Sequence, residues 1–199
     1  MRLDDIEIRK MHPSEAEKVA EVDSYAYQND PIPLVIYQSN SEEARKTREK
    51  NLIGMYTNNP QETYVALLQY KVIGLIRSFP CTGLFKQLEY AEGEHEHILN
   101  NKIEELTQEQ RQKWWYMTMK KHDLQTPHSH VGPFAVLPEY QGKGVGSKLF
   151  EEYLKRNTGT TCYLETFTET NAEFYQKRGY ALIETDDVLG LKGYFLRKD

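Results

Sequence analysis

One short segment limits this chain more than any other. Gln141-Gly142-Lys143-Gly144-Val145-Gly146 stands between an apolar run, His128 to Leu137, and an amphipathic pattern, Val145 to Lys155. In that pattern Val145, Leu149 and Tyr153 recur on one helical face, with Phe150 and Leu154 beside it. A strand, a glycine turn and a helix therefore follow one another directly. The first turn of a helix exposes unpaired N–H groups at the positive end of its dipole, and this favours an anion. Glycine permits the sharp turn and the close approach of a ligand to the backbone. Lys143 adds a positive charge. The alternative to a phosphate cradle is a tight turn without a ligand.

Two familiar phosphate loops do not fit. No G-x-x-x-x-G-K-[ST] string is present. A dinucleotide fingerprint needs G-x-G-x-x-G, whereas the glycines here fall as G-x-G-x-G and Pro133 interrupts the preceding strand, even though Glu165 lies at roughly the distance of a ribose-binding acid.

The remaining chain gives a mixed order of elements. Asp5 to Lys10 alternates as a strand, and Pro13-Ser14-Glu15 opens a helical pattern through Ala16, Val19, Ala20 and Val22. Residues 27 to 40, with Pro31 and Pro33, read as loop. Ser41 to Met55 is a charged helix capped by Ser41. Thr63 to Gln69 and Val72 to Phe79 are apolar strands joined near Tyr70 and Lys71. Residues 80 to 127 read as loop followed by a helix from about Glu94 to Lys121, and Trp114, Trp115 and Tyr116 there serve packing or wall an acceptor pocket. Pro133 makes the next strand an edge strand or splits it. Thr161 to Thr166 is a strand, Asn171 to Arg178 a short helix stopped by Gly179, and Tyr180 to Thr185 and Leu191 to Arg197 close the chain as strands. This is an α/β (α+β) chain built around one sheet, a single domain over residues 1 to 199 with a helical insertion at about 80 to 127.

Composition excludes other classes. The 199 residues carry 25 Lys and Arg against 30 Asp and Glu, a formal charge of -5. Neutralising nucleic acid phosphates needs a basic face, so nucleic acid is not expected as a partner; a negative surface favours cationic substrates instead. No run approaches the ~18 apolar residues of a membrane span, and the charged N-terminus is no signal peptide, so no membrane contact and a cytoplasmic location are expected. Cys81 and Cys162 give no disulfide framework, and no CxxC pair offers zinc ligands. Glu94-His95-Glu96-His97 resembles a metal motif, but residues two apart on a helix do not face each other; no metal is expected.

Gln141-x-x-Gly144-x-Gly146 matches [QR]-x-x-G-x-[GA], the pyrophosphate signature of the GNAT acetyltransferase superfamily. Phe134-Ala135-Val136-Leu137-Pro138-Glu139-Tyr140 resembles that family's lead-in. Downstream, Asn171-Ala172-Glu173-Phe174-Tyr175-Gln176-Lys177-Arg178-Gly179-Tyr180 resembles its second block. The two blocks cover roughly residues 130 to 185 in the family's order. The resemblance implies a mixed, mostly antiparallel sheet flanked by helices and splayed at the cofactor site. It implies acetyl-CoA as cosubstrate, with the Val136 N–H facing the thioester carbonyl and Leu137 and Pro138 along the pantetheine arm. It further implies that the N–H groups of Gln141, Gly142, Lys143, Gly144, Val145 and Gly146 cradle the pyrophosphate and that Asn171 binds the arm. A side chain at 144 or 146 is then expected to clash with the phosphates.

Acetyl transfer to a primary amine sets three tasks: deprotonating the amine, stabilising the oxyanion and protonating the thiolate. The resemblance places the acid at Tyr175, for which the plain alternative is a core tyrosine. For the base, two candidates stay open. His128 and His130 alternate on a strand and point to one face, and His130 matches by its distance from Ala135-Val136 a histidine that arylalkylamine acetyltransferases carry. Glu165, near the end of the next strand, serves instead or binds the cationic amine. The expected acceptor is a small-molecule amine. The alternatives are a protein lysine or N-terminus, and a non-catalytic CoA-binding sensor. A homodimer would fit the family.

Overall fold

The computed structural model describes residues 2–81, 114, 117, 118, 121 and 127–199. The expected insertion, with Trp115, Tyr116 and the Glu94–His97 run, lies almost wholly outside the described residues. Among the described residues seven strands form one mixed sheet: β1 (Ile6–Lys10), β2 (Thr63–Leu68), β3 (Lys71–Cys81), β4 (His128–Val136), β5 (Cys162–Thr166), β6 (Ala181–Val188) and β7 (Leu191–Lys198). They hydrogen-bond in the order β1-β2-β3-β4-β5-β7-β6. The flanking helices are α1 (Ala16–Ala26), α2 (Pro31–Tyr37), α3 (Glu42–Asn58), α4 (Val145–Arg156) and α5 (Glu169–Gln176). The open mixed sheet with helices is the expected fold class.

The chain forms two compact units. The first comprises Met1–Pro33, Ser39–Phe79 and Val131–Gly159, and the second Leu34–Gln38, Pro80–His130 and Thr160–Asp199. In the first, antiparallel pairing sets Ile6 opposite Leu68 and Val65 opposite Leu75. Val19, Ala20, Tyr56, Val65, Leu75, Ala135 and Leu137 share a core cluster there. In the second, β5 and β7 pair antiparallel over five positions, Cys162↔Lys198 to Thr166↔Tyr194. The parallel β4–β5 ladder is shorter: Ser129↔Cys162 and His130↔Tyr163. Pro133 thus lies beyond these pairs. The strand is split there with respect to β5, and it is not an edge strand.

Residues 27 to 40 do not form the expected loop throughout. Pro31 and Pro33 both lie in the first turn of α2, where the N–H groups have no helical partner, so neither proline removes a hydrogen bond. Asp30 Oδ1 accepts the Ile32 N–H at 3.0 Å and caps that turn. The Ser41 cap of α3 is present, its hydroxyl oxygen accepting from Ala44 N at 3.3 Å. The hairpin between β2 and β3 turns at Gln69 and Tyr70, one residue earlier than expected, and both hold positive φ.

Candidate active site

β4 and the turn that follows it set the first half of the site. Leu137 N donates to Ile73 O at 2.9 Å. A Cβ built on Gly74 would lie 3.3 Å from Val136 Cγ2 and 3.6 Å from Val136 Cα, so Val136 sits directly opposite Gly74. In an antiparallel pair such facing positions alternate between hydrogen-bonded and non-hydrogen-bonded. With Leu137 bonded to β3, Val136 and Phe134 turn their N–H and C=O groups to the other edge of the strand. On that edge Gln141 Nε2 donates to Val136 O at 2.9 Å. By the same alternation the Val136 N–H faces that edge.

The glycine turn leads into α4, whose N-cap is Gly144 at φ +83°. A glycine cap has no side-chain oxygen to offer the N–H groups of the first turn, and these stay oriented outward at the positive helix end. Lys143 Nζ donates to Glu139 O at 2.6 Å on the exposed surface. A Cβ on Gly144 would meet Leu3 Cδ1 at 3.0 Å, and one on Gly146 would meet Phe134 Cζ at 3.3 Å. Both Cβ directions meet the protein's own side chains, and Gly144 in addition holds a positive φ that favours glycine. The Leu3 turn is itself fastened to α4, since Lys148 Nζ donates to Leu3 O at 2.7 Å and to Ile6 O at 2.8 Å.

A cavity of about 440 Å³ adjoins the end of β4. Leu137, Pro138 and Glu139 line it together with Lys18, Val22 and Tyr25 of α1 and Tyr70 and Lys71 of the hairpin turn.

The second unit carries the candidate acid and base. Parallel register sets His130 opposite Tyr163, and Glu165, two residues further along β5, points to the same face. His130 Nε2 and Glu165 Oε2 are 2.7 Å apart, with side chains only 3% and 6% exposed. The structure thus joins the two residues that sequence reading kept as alternatives. With Glu165 ionised, Nε2–H donates to it and the imidazole lone pair is on Nδ1. His128 is also buried and packs edge-on to the Tyr163 ring at 4.7 Å. Tyr175, on α5, is 8% exposed and lies against the rings of Phe174 at 5.3 Å and Tyr180 at 6.1 Å. Asn171 is exposed one turn earlier on the same helix. Cys81 and Cys162 are buried.

Sequence reading missed a polar network in the first unit. Asp23, fully buried, accepts from Arg48 Nη2 at 2.6 Å and from the Tyr56 hydroxyl at 2.5 Å. Burial and the Asp23 charge push the Tyr56 phenol well above its ordinary range. Asp30 was missed too. Burial raises its pKa above the ordinary aspartate value, against the lowering effects of the Ile32 N–H and the Arg48 charge, and Asp23 raises it further. Its signal in the sequence was the Asp-Pro pair that opens α2.

Strand, glycine turn and helix follow one another here on an open mixed sheet. Residues 115–182 match the acetyltransferase (GNAT) domain family. Many solved structures share the fold. An agmatine N-acetyltransferase variant in its apo form superposes with a TM-score of 0.71 at 17% identity, covering 98% of this chain and 100% of its own. Arylalkylamine N-acetyltransferase 2 from Aedes aegypti gives 0.70 at 10% identity, covering 97% and 98%. The PaiA N-acetyltransferase from Thermoplasma acidophilum, in complex with coenzyme A, gives 0.59 at 19% identity, covering 98% of each chain. No curated protein sequence matches this one. Over residues 115–182 the chain is thus similar to the acetyltransferase (GNAT) domain family, and over nearly its whole length it shares the fold of solved N-acetyltransferases. Among the described residues no helix is long and apolar enough to cross a membrane.

Proposed function

We propose that this enzyme moves the acetyl group of acetyl-CoA to a primary amine on a small molecule. The observation that carries the reading is the edge of β4, where Gln141 holds the Val136 carbonyl and the Val136 N–H faces the same way. In the reaction the amine nitrogen attacks the thioester carbon and the C–S bond breaks. A proton leaves the nitrogen and another reaches the thiolate, so no covalent enzyme intermediate is needed. Val136 N–H stabilises the oxyanion, a contribution of about 3 kcal/mol for one fixed donor. Leu137 follows the pantetheine arm, and Asn171 binds it. The N–H groups from Gln141 through Gly142, Lys143, Gly144 and Val145 to Gly146 receive the pyrophosphate. Tyr175 protonates the thiolate. His130, oriented by Glu165, takes the amine proton; because the pair is buried, that proton travels by hydrogen bonds and not through bulk water. The formal charge of -5 supports a cationic acceptor, as do agmatine and arylalkylamine acetyltransferases among the structures of like fold.

The test begins with thermal unfolding at about 100 Kd of acetyl-CoA, where binding stabilises by roughly 2.7 kcal/mol. For a chain of this size that corresponds to a Tm rise of about 5–10 °C. Lys143→Glu is the control, since this exposed side chain reverses charge at the cradle with no buried contact to lose; it is expected to weaken binding. Thiol release is then followed with agmatine, a polyamine, an arylalkylamine and a lysine peptide. Turnover confined to the lysine peptide would move the acceptor to protein. Tight acetyl-CoA binding with no turnover would make the chain a CoA sensor.

A further inference from the structure

Phe134 sits on β4 two residues before Val136 and, by the same alternation, turns its N–H and C=O to the edge away from β3. A strand or a ligand pairing along that edge would use both groups. Both are taken. The Tyr27 hydroxyl lies 3.0 Å from Phe134 O, to which it donates, and 3.2 Å from Phe134 N, from which it accepts. One phenol oxygen therefore completes the hydrogen bonding of a whole strand residue.

That hydroxyl is held in place. Tyr27 follows directly on α1, and its ring packs against the core cluster. The Arg48 guanidinium stands 5.0 Å from the ring centroid. Arg48 is tied to buried Asp23, which also accepts from Tyr56. The network thus runs from α3 through α1 to the backbone of β4, and all of it lies in the first unit.

We infer that Tyr27 is a positioning residue that closes the β4 edge at Phe134, so that an acyl-CoA arm lying along this edge ends with its thioester carbonyl on the Val136 N–H. The inference rests on the acetyl-CoA reading above and adds what sets the register. Strand residues of like orientation recur about every 6.6 Å. Without the hydroxyl, the arm has a second donor and acceptor within that distance. The carbonyl then has two possible resting places, and only one is the oxyanion site. Gln141 holds the Val136 carbonyl on the same edge. Tyr27 itself contacts neither the cosubstrate nor the reacting atoms in this scheme; it acts through Phe134.

Tyr27→Phe keeps the ring and its packing and removes the single oxygen. The experiment follows the infrared carbonyl band of acetyl-CoA labelled at the thioester carbon, bound to wild type and variant without an acceptor, alongside steady-state turnover with the best amine of the panel. In the wild type the band is expected at lower frequency than in free acetyl-CoA. In Tyr27→Phe it is expected to return towards the free value while the Kd is nearly unchanged, and kcat is expected to fall about tenfold or more, as for a misplaced oxyanion donor. A hydroxyl with only a structural role would lower Tm and leave the bound band where it is. An unchanged band with unchanged kcat overturns the inference. So does a wild type that binds acetyl-CoA with no carbonyl shift, a result that leaves the cosubstrate standing. A wild type that does not bind acetyl-CoA removes the parent reading itself.

Discussion

The two ends of β4 use the same strand in opposite ways. At the first end the backbone pairs regularly, Ser129 and His130 against Cys162 and Tyr163, and the proposed chemistry rests on a side chain, His130 facing Glu165. At the other end the side chains of Phe134 and Val136 pack inward, and the proposed chemistry rests on the backbone. Tyr27 and Gln141 take three of the four strand groups of Phe134 and Val136 on that edge; the fourth is the Val136 N–H. A side-chain site depends on residue identity, whereas a backbone site depends on which groups the neighbours have occupied.

The largest effect is expected at the side-chain end. Glu165→Gln retains an amide oxygen that accepts from His130 Nε2 and removes the negative charge. If the pair handles the amine proton, kcat falls on the order of 100-fold with acetyl-CoA affinity intact. If the pair only pins β4 to β5, kcat is unchanged and the loss is seen as a lower Tm. Stopped-flow thiol release and calorimetry on one preparation separate these outcomes.

The same contrast explains what the sequence made legible. The strands and α4 could be read because their apolar residues keep a strict period. His130, Glu165 and the glycine turn could be read because their residue types are chemically suggestive. Helix α2 escaped because Pro31 and Pro33 look like breakers until both are placed in a first turn. Arg45 and Arg48 escaped because α3 reads as evenly charged; in the structure Arg45 is 6% exposed, held by Glu42, Glu49 and Ser24. Tyr27 could not be read at all, since its partner is a backbone 107 residues away and leaves no mark on composition or period.

A middle-sized effect is expected at the backbone end. Gly146→Ala sets a Cβ 3.3 Å from Phe134 Cζ and 3.7 Å from Val136 Cγ2. The Phe134 ring is backed by Phe150 at 5.4 Å and has little room to move. Helix propensity favours alanine by about 1 kcal/mol, and overpacking costs typically about 1–3 kcal/mol. The net expectation is a Tm lower by about 2–4 °C, with acetyl-CoA affinity reduced only in step with it. A large loss of affinity with no loss of Tm would mean that the glycine faces the phosphates after all.

The smallest effect is expected at Asp30, and it sharpens the comparison by asking which unit supplies the base. Burial raises this carboxyl above its value in the unfolded chain. The sign follows from linkage: a raised carboxyl binds its proton more tightly when folded, so the fold is penalised above the folded pKa and the penalty vanishes below the unfolded one. Asp30→Asn preserves an oxygen for the Ile32 N–H and removes the charge. The nearby Arg48 loses part of its electrostatic partnership, which offsets some of the gain. Tm is expected to rise on the order of a few degrees at neutral pH, and the difference should disappear as pH falls through the carboxylate range. Because a raised carboxyl is also a base poised nearer neutrality, kcat decides the rest. If Asp30→Asn lowers it more than Glu165→Gln does, the proton is taken by the first unit, and the buried His130–Glu165 pair serves to join β4 to β5.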